Sequence, residues 1–236
     1  MIADCTALIL AGGHSRRMGC DKTALQFDGQ SLLQHMIGLM QTLFPAVLVS
    51  VRELRADIDV PQVCDEIPDA GPLAGLCAGL ERVATPWVFA VAADMPGLRA
   101  EVVEQLATYR NSLSLWERAG VRAGSDCHDV GAAPPLSLTP DPSPRGRGEK
   151  KNQAVLPVVN GFPQSLTAFY ATSTLPTLKA ALARGERSVY ASLAGLNICR
   201  VDENSLRHTD VQLGSFIDLD TPEDVAAWKM KGIDKQ

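Results

Sequence analysis

The passage from Thr6-Ala7-Leu8-Ile9-Leu10 into Ala11-Gly12-Gly13 limits the fold more than any other stretch. A short uncharged run, apolar at every position after Thr6, lacks the alternation of a half-exposed strand and the length of an ordinary helix. It predicts a strand covered on both faces, as parallel strands are, and the paired glycines let the chain turn sharply where that strand ends. The same order of signals recurs. Ser31 caps a helix whose apolar positions Leu32, Leu33, Met36, Ile37, Leu39, Met40 and Leu43 follow helical spacing, and Pro45 ends it. Ala46 to Val51 reads as a second strand and Pro61 to Cys64 as a short third, with Asp65-Glu66 at its end. Gly71-Pro72 opens a helix through Leu73, Leu76, Leu80 and Val83, and the apolar strand Trp87 to Ala93 runs into Asp94. Such alternation, clear to about residue 108, predicts an α/β fold: a single Rossmann-like, doubly wound, mostly parallel sheet with its ligand site outside the strands' carboxyl ends.

Length alone, 236 residues, gives about one and a half domains at roughly 150 residues each. Composition resolves the surplus. Residues 111–151 carry 5 of the 15 prolines and show neither helical nor strand periodicity. Structureless loops longer than about 15 residues are uncommon inside compact domains. The stretch therefore reads as a disordered insertion, with a basic loop of Arg145, Arg147, Lys150 and Lys151 as the alternative. Its blocks Leu113 to Ala123 and Leu138 to Glu149 resemble the translated arms of a GC-rich inverted repeat, which favours insertion.

Beyond it, Ala154 to Val159 and Ser165 to Tyr170 read as strands flanking a turn at Gly161, and Leu175 to Arg184 as a helix stopped by Gly185. Val189 to Leu196 reads as helical, Asn197 to Val201 as a strand, and Phe216 to Asp220 as a last short strand. Thr221 then caps a helix with Pro222 at its first position and Glu223 and Asp224 in its first turn, packed down by Val225, Ala226 and Trp228.

The balance of 22 basic and 27 acidic residues, net −5, lacks the electrostatic footprint of a nucleic-acid binder. No apolar run approaches the length of a membrane span. Asp4 stands where a secretory signal would carry basic residues, so a cytoplasmic protein is expected. The six cysteines (Cys5, Cys20, Cys64, Cys77, Cys127 and Cys199) form no C-x-x-C pair and read as reduced and structural; the four histidines show no metal-ligand spacing.

Chemistry concentrates in Leu10-Ala11-Gly12-Gly13-His14-Ser15-Arg16-Arg17-Met18-Gly19-Cys20-Asp21-Lys22. Three glycines let amide groups approach a ligand closely, and Arg16, Arg17 and Lys22 add positive charge within seven residues. The string fits neither G-x-x-x-x-G-K-[ST] nor G-x-G-x-x-G. Phosphate binding and a solvated connection both remain open from glycines and charges alone. Asp94, likewise, reads as a ligand in the crevice or as a helix cap, and Asp65 as a nucleotide contact or a cap of the turn before Gly71.

Taken whole, the string resembles the L-A-G-G-x-S-x-R-M-G-x-D-K signature of nucleotidyltransferases acting on sugars and cofactors, and among them most resembles the molybdenum cofactor guanylyltransferases. Gly71-Pro72-Leu73-Ala74-Gly75, Ala92-Ala93-Asp94-Met95-Pro96 and Asp220-Thr221-Pro222-Glu223-Asp224 match that family's motifs in order. The resemblance implies a sheet of the nucleotide-diphospho-sugar transferase type in one domain over 1–236, residues 1–108 binding GTP and 154–236 the pterin. It implies that Leu10, Ala11, Gly12 and Gly13 hold the guanine nucleotide by backbone contacts and that Lys22 meets its phosphates. Ser50 and Asp65 match nucleotide-binding positions and Asp94 the magnesium-binding aspartate, with Lys22 and Arg16 steadying the leaving pyrophosphate. The implied substrates are GTP and molybdenum-molybdopterin, the cofactor Mg2+, and the protein partners those that deliver the pterin or mature molybdoenzymes. Nucleic acid and membrane are not among the expected partners.

Three departures from the family pattern bear on this. Ser50 stands where the family often has Asn, Gln30-Ser31 where a Lys-Pro pair is common, and Asp218 and Asp220 where Asn-x-Asn is usual. The acids either alter pterin recognition or add a metal carboxylate. A cytidylyltransferase on the same pterin is the nearest rival, although its loop usually carries Ala-Ala-Gly in place of Ala11-Gly12-Gly13. A sugar- or lactyl-phosphate nucleotidyltransferase is the next, and a non-catalytic nucleotide-binding protein the alternative outside enzymes.

Overall fold

The structure, a computed structural model, describes residues 1–12, 26–27, 29–64, 67, 71–110, 151–219, 221, 224–225 and 228. In chain order the strands are β1 (Cys5–Leu10), β2 (Gln26–Phe27), β3 (Gln30–Ser31), β4 (Ala46–Val51), β5 (Gln62–Cys64), β6 (Trp87–Ala92), β7 (Ala154–Val159), β8 (Phe162–Pro163), β9 (Thr167–Ala171) and β10 (Ile198–Asp202). The helices are α1 (Leu32–Leu43), α2 (Pro72–Arg82), α3 (Ala100–Thr108), α4 (Leu175–Ala183), α5 (Val189–Ser192) and α6 (Glu203–Leu206).

Seven strands follow the order β10-β7-β9-β6-β1-β4-β5, with β8 folded back on β7. From β6 through β1 and β4 to β5 every pairing is parallel; β9 is antiparallel to both β6 and β7, and β10 is parallel to β7. The sheet is thus mixed and mostly parallel, with β7 running in the direction of β6. Strand β1 sits between β6 and β4, and its side chains show why it carries no polar alternation. Ala7 and Ile9 enter the core under α1 and α3, while Leu8 enters the core under α2 and α4. In the first of these cores the rings of Phe44, Phe89 and Phe169 pack together, Phe89 and Phe169 at 4.8 Å between centroids.

The caps form as the residues dictate. Ser31 Oγ accepts the Gln34 amide and the Gln34 side chain accepts the Ser31 amide, a reciprocal capping box on α1. Thr221 and Asp224 exchange the same pair of bonds, Thr221 Oγ1 accepting the Asp224 amide and Asp224 Oδ2 accepting the Thr221 amide. Trp228 and Val225 then pack with Leu32 and Leu219.

Two expectations are corrected. The turn at Asn160-Gly161, both at positive φ, folds β8 rather than β9 onto β7; β9 reaches its place between β7 and β6 by a further connection. Phe216 to Leu219 is not a strand either. Gly214–Phe216 is a 3-10 turn, and the Leu219 amide donates to the Asp94 carbonyl, a single bond where a ladder would need a series. The expected insertion, 111–151, lies outside the described residues except for Lys151. No helix among the described residues is long and apolar enough to cross a membrane.

Candidate active site

Leu10 and Ala92 end β1 and β6 level with Ser50, one residue before the end of β4, Leu10 being the register partner of both the others, while Val51 pairs with Cys64 at the end of β5. Whatever follows these residues leaves the sheet along one edge. Ala11-Gly12 follows β1 and Asp94 follows β6, the two segments adjacent because the Ala93 amide donates to the Leu10 carbonyl at 3.2 Å. Carboxyl edges of parallel strands are where such sheets take ligands.

Ser50 has a specific part in this arrangement. Its carbonyl accepts the Ala11 amide at 2.9 Å, which fixes the direction in which the glycine-containing loop departs. Its side chain is 2% exposed and lies beneath α2. A Cβ placed on Gly75 would stand 2.6 Å from Ser50 Oγ and 3.1 Å from Leu10 Cδ2; one on Gly79 would stand 2.3 Å from Leu8 Cδ2. Glycines four residues apart therefore let α2 lie directly on the ends of β1 and β4, and bring its first turn to the same edge. Gly71, before Pro72, holds φ +69°, a left-handed conformation that only glycine adopts without cost.

Asp94 is half-buried, and the chain at 218–219 lies on its backbone through the Leu219 amide at 3.1 Å. Asp218, next to that contact, is exposed. Hard carboxylate oxygens suit a magnesium ion, which takes one or two carboxylates and completes its shell from substrate phosphates and water. Among the described residues no group of three His, Cys, Asp or Glu side chains converges, so those residues supply only such a partial set. The donor chemistry fits the ion.

Of the residues singled out from sequence, the structure brings Leu10, Ala11, Gly12, Ser50 and Asp94 to one edge. Gly13, Arg16, Lys22, Asp65 and Asp220 lie outside the described residues. Cys5, Cys64, Cys77 and Cys199 are free thiols. Burial pushes Cys5 up to about 12 and Cys77 to about 11, so neither offers a thiolate nucleophile. Sequence reasoning did not single out Gly97, Asp210 or Ser215. Gly97 carried a signal, since Pro96-Gly97 follows the motif aspartate; its missing side chain makes room for Trp228 and for the Gly214 carbonyl, 2.3 and 2.5 Å from where a Cβ would stand.

Residues 7–197 match the family model described as the MobA-like NTP transferase domain. A relative from Syntrophotalea carbinolica, named molybdenum cofactor guanylyltransferase, is 27% identical over 229 residues, covering 96% of this chain and 91% of its own. One from Opitutus terrae, named probable molybdenum cofactor guanylyltransferase, is 33% identical over 205 residues, covering 83% and 82%. Among solved structures, molybdopterin-guanine dinucleotide biosynthesis protein A from Archaeoglobus fulgidus superposes with a TM-score of 0.67 at 23% identity, covering 98% of this chain and 97% of that one, a likeness of fold.

Proposed function

The chain belongs to the MobA-like NTP transferase domain family and is a nucleotidyltransferase, and from that premise we propose that it transfers GMP from GTP to molybdenum-bearing molybdopterin. The products are the guanine dinucleotide cofactor and pyrophosphate. The observation that carries the reading is the adjacency of Ala11-Gly12 and Asp94 at one sheet edge, joined through the bond from the Ala93 amide to Leu10.

With the Ala11 amide committed to Ser50, the guanine base is held from the Ala11 carbonyl and Gly12 onward, through Gly13. Ser50 acts on the nucleotide by aiming that loop. Asp65, the residue after Cys64 in the chain, is the further nucleotide contact in this reading. Residues 1–108 thereby form the GTP half of the domain and residues 154–236 the pterin half.

Transfer requires a terminal phosphate oxygen of the pterin to attack the α-phosphorus of GTP in line. The new P–O bond forms as the bond to the β-phosphate oxygen breaks, and pyrophosphate leaves with that electron pair. Both reactants are anionic, so catalysis lies in neutralising charge and fixing geometry. Lys22 and Arg16 meet the phosphates and steady the leaving pyrophosphate. Asp94 is the residue that would hold Mg2+, which when bound neutralises phosphate charge. The attacking phosphate is already ionised, and no side-chain nucleophile is needed.

A donor competition tests the assignment. With molybdopterin and Mg2+, pyrophosphate release is expected from GTP and at least tenfold less from CTP at equal concentration. Equal release, or preference for CTP, overturns the guanylyl assignment in favour of the cytidylyl one. Transfer in the cytoplasm, with pterin-delivery and molybdoenzyme-maturation proteins as its partners, completes the proposal.

A further inference from the structure

The segment from Asp210 to Leu219 is fastened to the loop after β6 by bonds that the chemistry of transfer does not itself use. Asp210 is 4% exposed and Ser215 is not exposed at all. Asp210 Oδ2 accepts the Ser215 amide at 2.8 Å, and Ser215 Oγ accepts the Arg99 amide at 3.1 Å, 116 residues away in sequence. Four residues further on, the Leu219 amide reaches the Asp94 carbonyl. Between these points Gly97 lies against the Gly214 carbonyl with no room for a side chain. The loop 94–99 is thus held at both of its ends, at Asp94 by Leu219 and at Arg99 by Ser215.

The turn that presents Ser215 is costly in itself. Leu213 adopts φ 54° and ψ 34°, a left-handed conformation that a branched side chain disfavours. Asp210 offsets that cost, its carbonyl accepting the Leu213 amide while its carboxylate accepts the Ser215 amide. A buried carboxylate occupied with a backbone amide of its own turn serves the shape of that turn.

We propose that Asp210 and Ser215 are positioning residues for the reacting edge: they set the backbone of the loop that carries Asp94, so that metal and phosphates would meet a carboxylate held in one place. This rests on the assignment of Asp94 to the metal. Neither residue touches substrate; both act through the backbone of 94–99 and 213–219.

The test uses the full chain with GTP and Mn2+ as the spectroscopic stand-in for Mg2+, reading free Mn2+ by electron paramagnetic resonance. Ser215→Ala removes the acceptor for the Arg99 amide and is expected to weaken Mn2+ binding about two- to tenfold, the range expected for one hydrogen bond. GTP affinity without metal is expected to stay unchanged. Asp210→Ala should behave like Ser215→Ala, and Asp210→Asn, which keeps an acceptor oxygen, should restore most of the loss. A melting temperature lowered with Mn2+ affinity unchanged makes the pair merely structural and overturns the proposal. Asp94→Asn separates the two readings. If it loses Mn2+ while Ser215→Ala and Asp210→Ala do not, only the positioning role fails; if it too keeps Mn2+, the metal assignment fails and the positioning role with it.

Discussion

The side-chain amide of Asn152 donates to the carbonyl of Tyr109 at 2.9 Å, so the end of α3 and the approach to β7 lie at one place. Arg110, just after α3, is buried and paired with Asp4, and its guanidinium lies over the rings of Trp87 and Phe169. Ala154 is level with Tyr170 and hence with Val88, near the start of β6. Asp94 is six residues further along that direction, about 20 Å away at the rise of a strand. Replacing 111–150 by a short Gly/Ser linker should therefore leave the melting temperature within a few degrees and GTP affinity within twofold. Loss of nucleotide binding in a folded deletion variant, checked by calorimetry and circular dichroism, would favour the basic-loop alternative instead.

Gly75 and Ser50 should behave as a coupled pair. In an open helix Gly→Ala gains up to about 1 kcal/mol. Here the new methyl meets Ser50 Oγ at 2.6 Å, and overpacking of that kind costs about 1–3 kcal/mol. Gly75→Ala alone is expected to destabilise the protein in urea titration. In the Ser50→Ala background the same change should be neutral or stabilising. Equal effects in both backgrounds would mean that α2 yields without reference to Ser50.

How far the sequence could be read follows from which signals are local. Strands covered on both faces and caps such as Ser31 with Gln34 are written in neighbouring residues, and β1, α1, β4, α2 and β6 fall within a residue or two of where periodicity predicts them. The carboxyl-edge site follows from that order alone. What escaped depends on contacts far apart in the chain. β9 enters the sheet antiparallel between β7 and β6, a pairing its own apolar residues do not specify. Phe216 to Leu219 has the composition of a strand, yet its Phe216 and Ile217 amides bond within their own turn and its Leu219 amide goes to Asp94, and nothing within the segment announces that partner. Ser215 is an unremarkable serine until Arg99, 116 residues earlier, is placed beside it.

The buried thiols carry a pH dependence with a definite sign. Burial raises Cys5 to about 12 and Cys77 to about 11 from an ordinary value of 9.0, which keeps both protonated in the fold. Well below pH 9 the folded and unfolded states bind these protons equally. Between pH 9 and the raised values the unfolded chain ionises first, so stability falls as pH rises. At pH 8, iodoacetamide should leave Cys5 and Cys77 of the native protein unmodified and label both after unfolding, as read by peptide mass spectrometry. Rapid labelling of either in the native state would contradict its burial. The melting temperature should decline from pH 9 to 11, and less steeply in Cys77→Ala.

Lys22 and Asp94 have different proposed roles, and binding measurements can tell them apart. A charge-assisted contact from Lys22 to phosphate is worth about 1.5–3 kcal/mol, so Lys22→Ala should weaken GTP binding about ten- to a hundredfold. Guanosine has no phosphate, and its affinity should not change. The GTP deficit should also shrink as salt is raised, because the lost interaction is a screened one. Asp94→Asn should leave metal-free GTP binding intact, or tighten it slightly by removing a negative charge near the phosphates, and should lower turnover through the metal dependence alone. Equal losses for GTP and guanosine in Lys22→Ala would place that lysine in the architecture of the loop rather than on the phosphates. The phosphate-facing charge would then have to come from Arg16 or Arg17, which the corresponding alanine variants would reveal in the same titration.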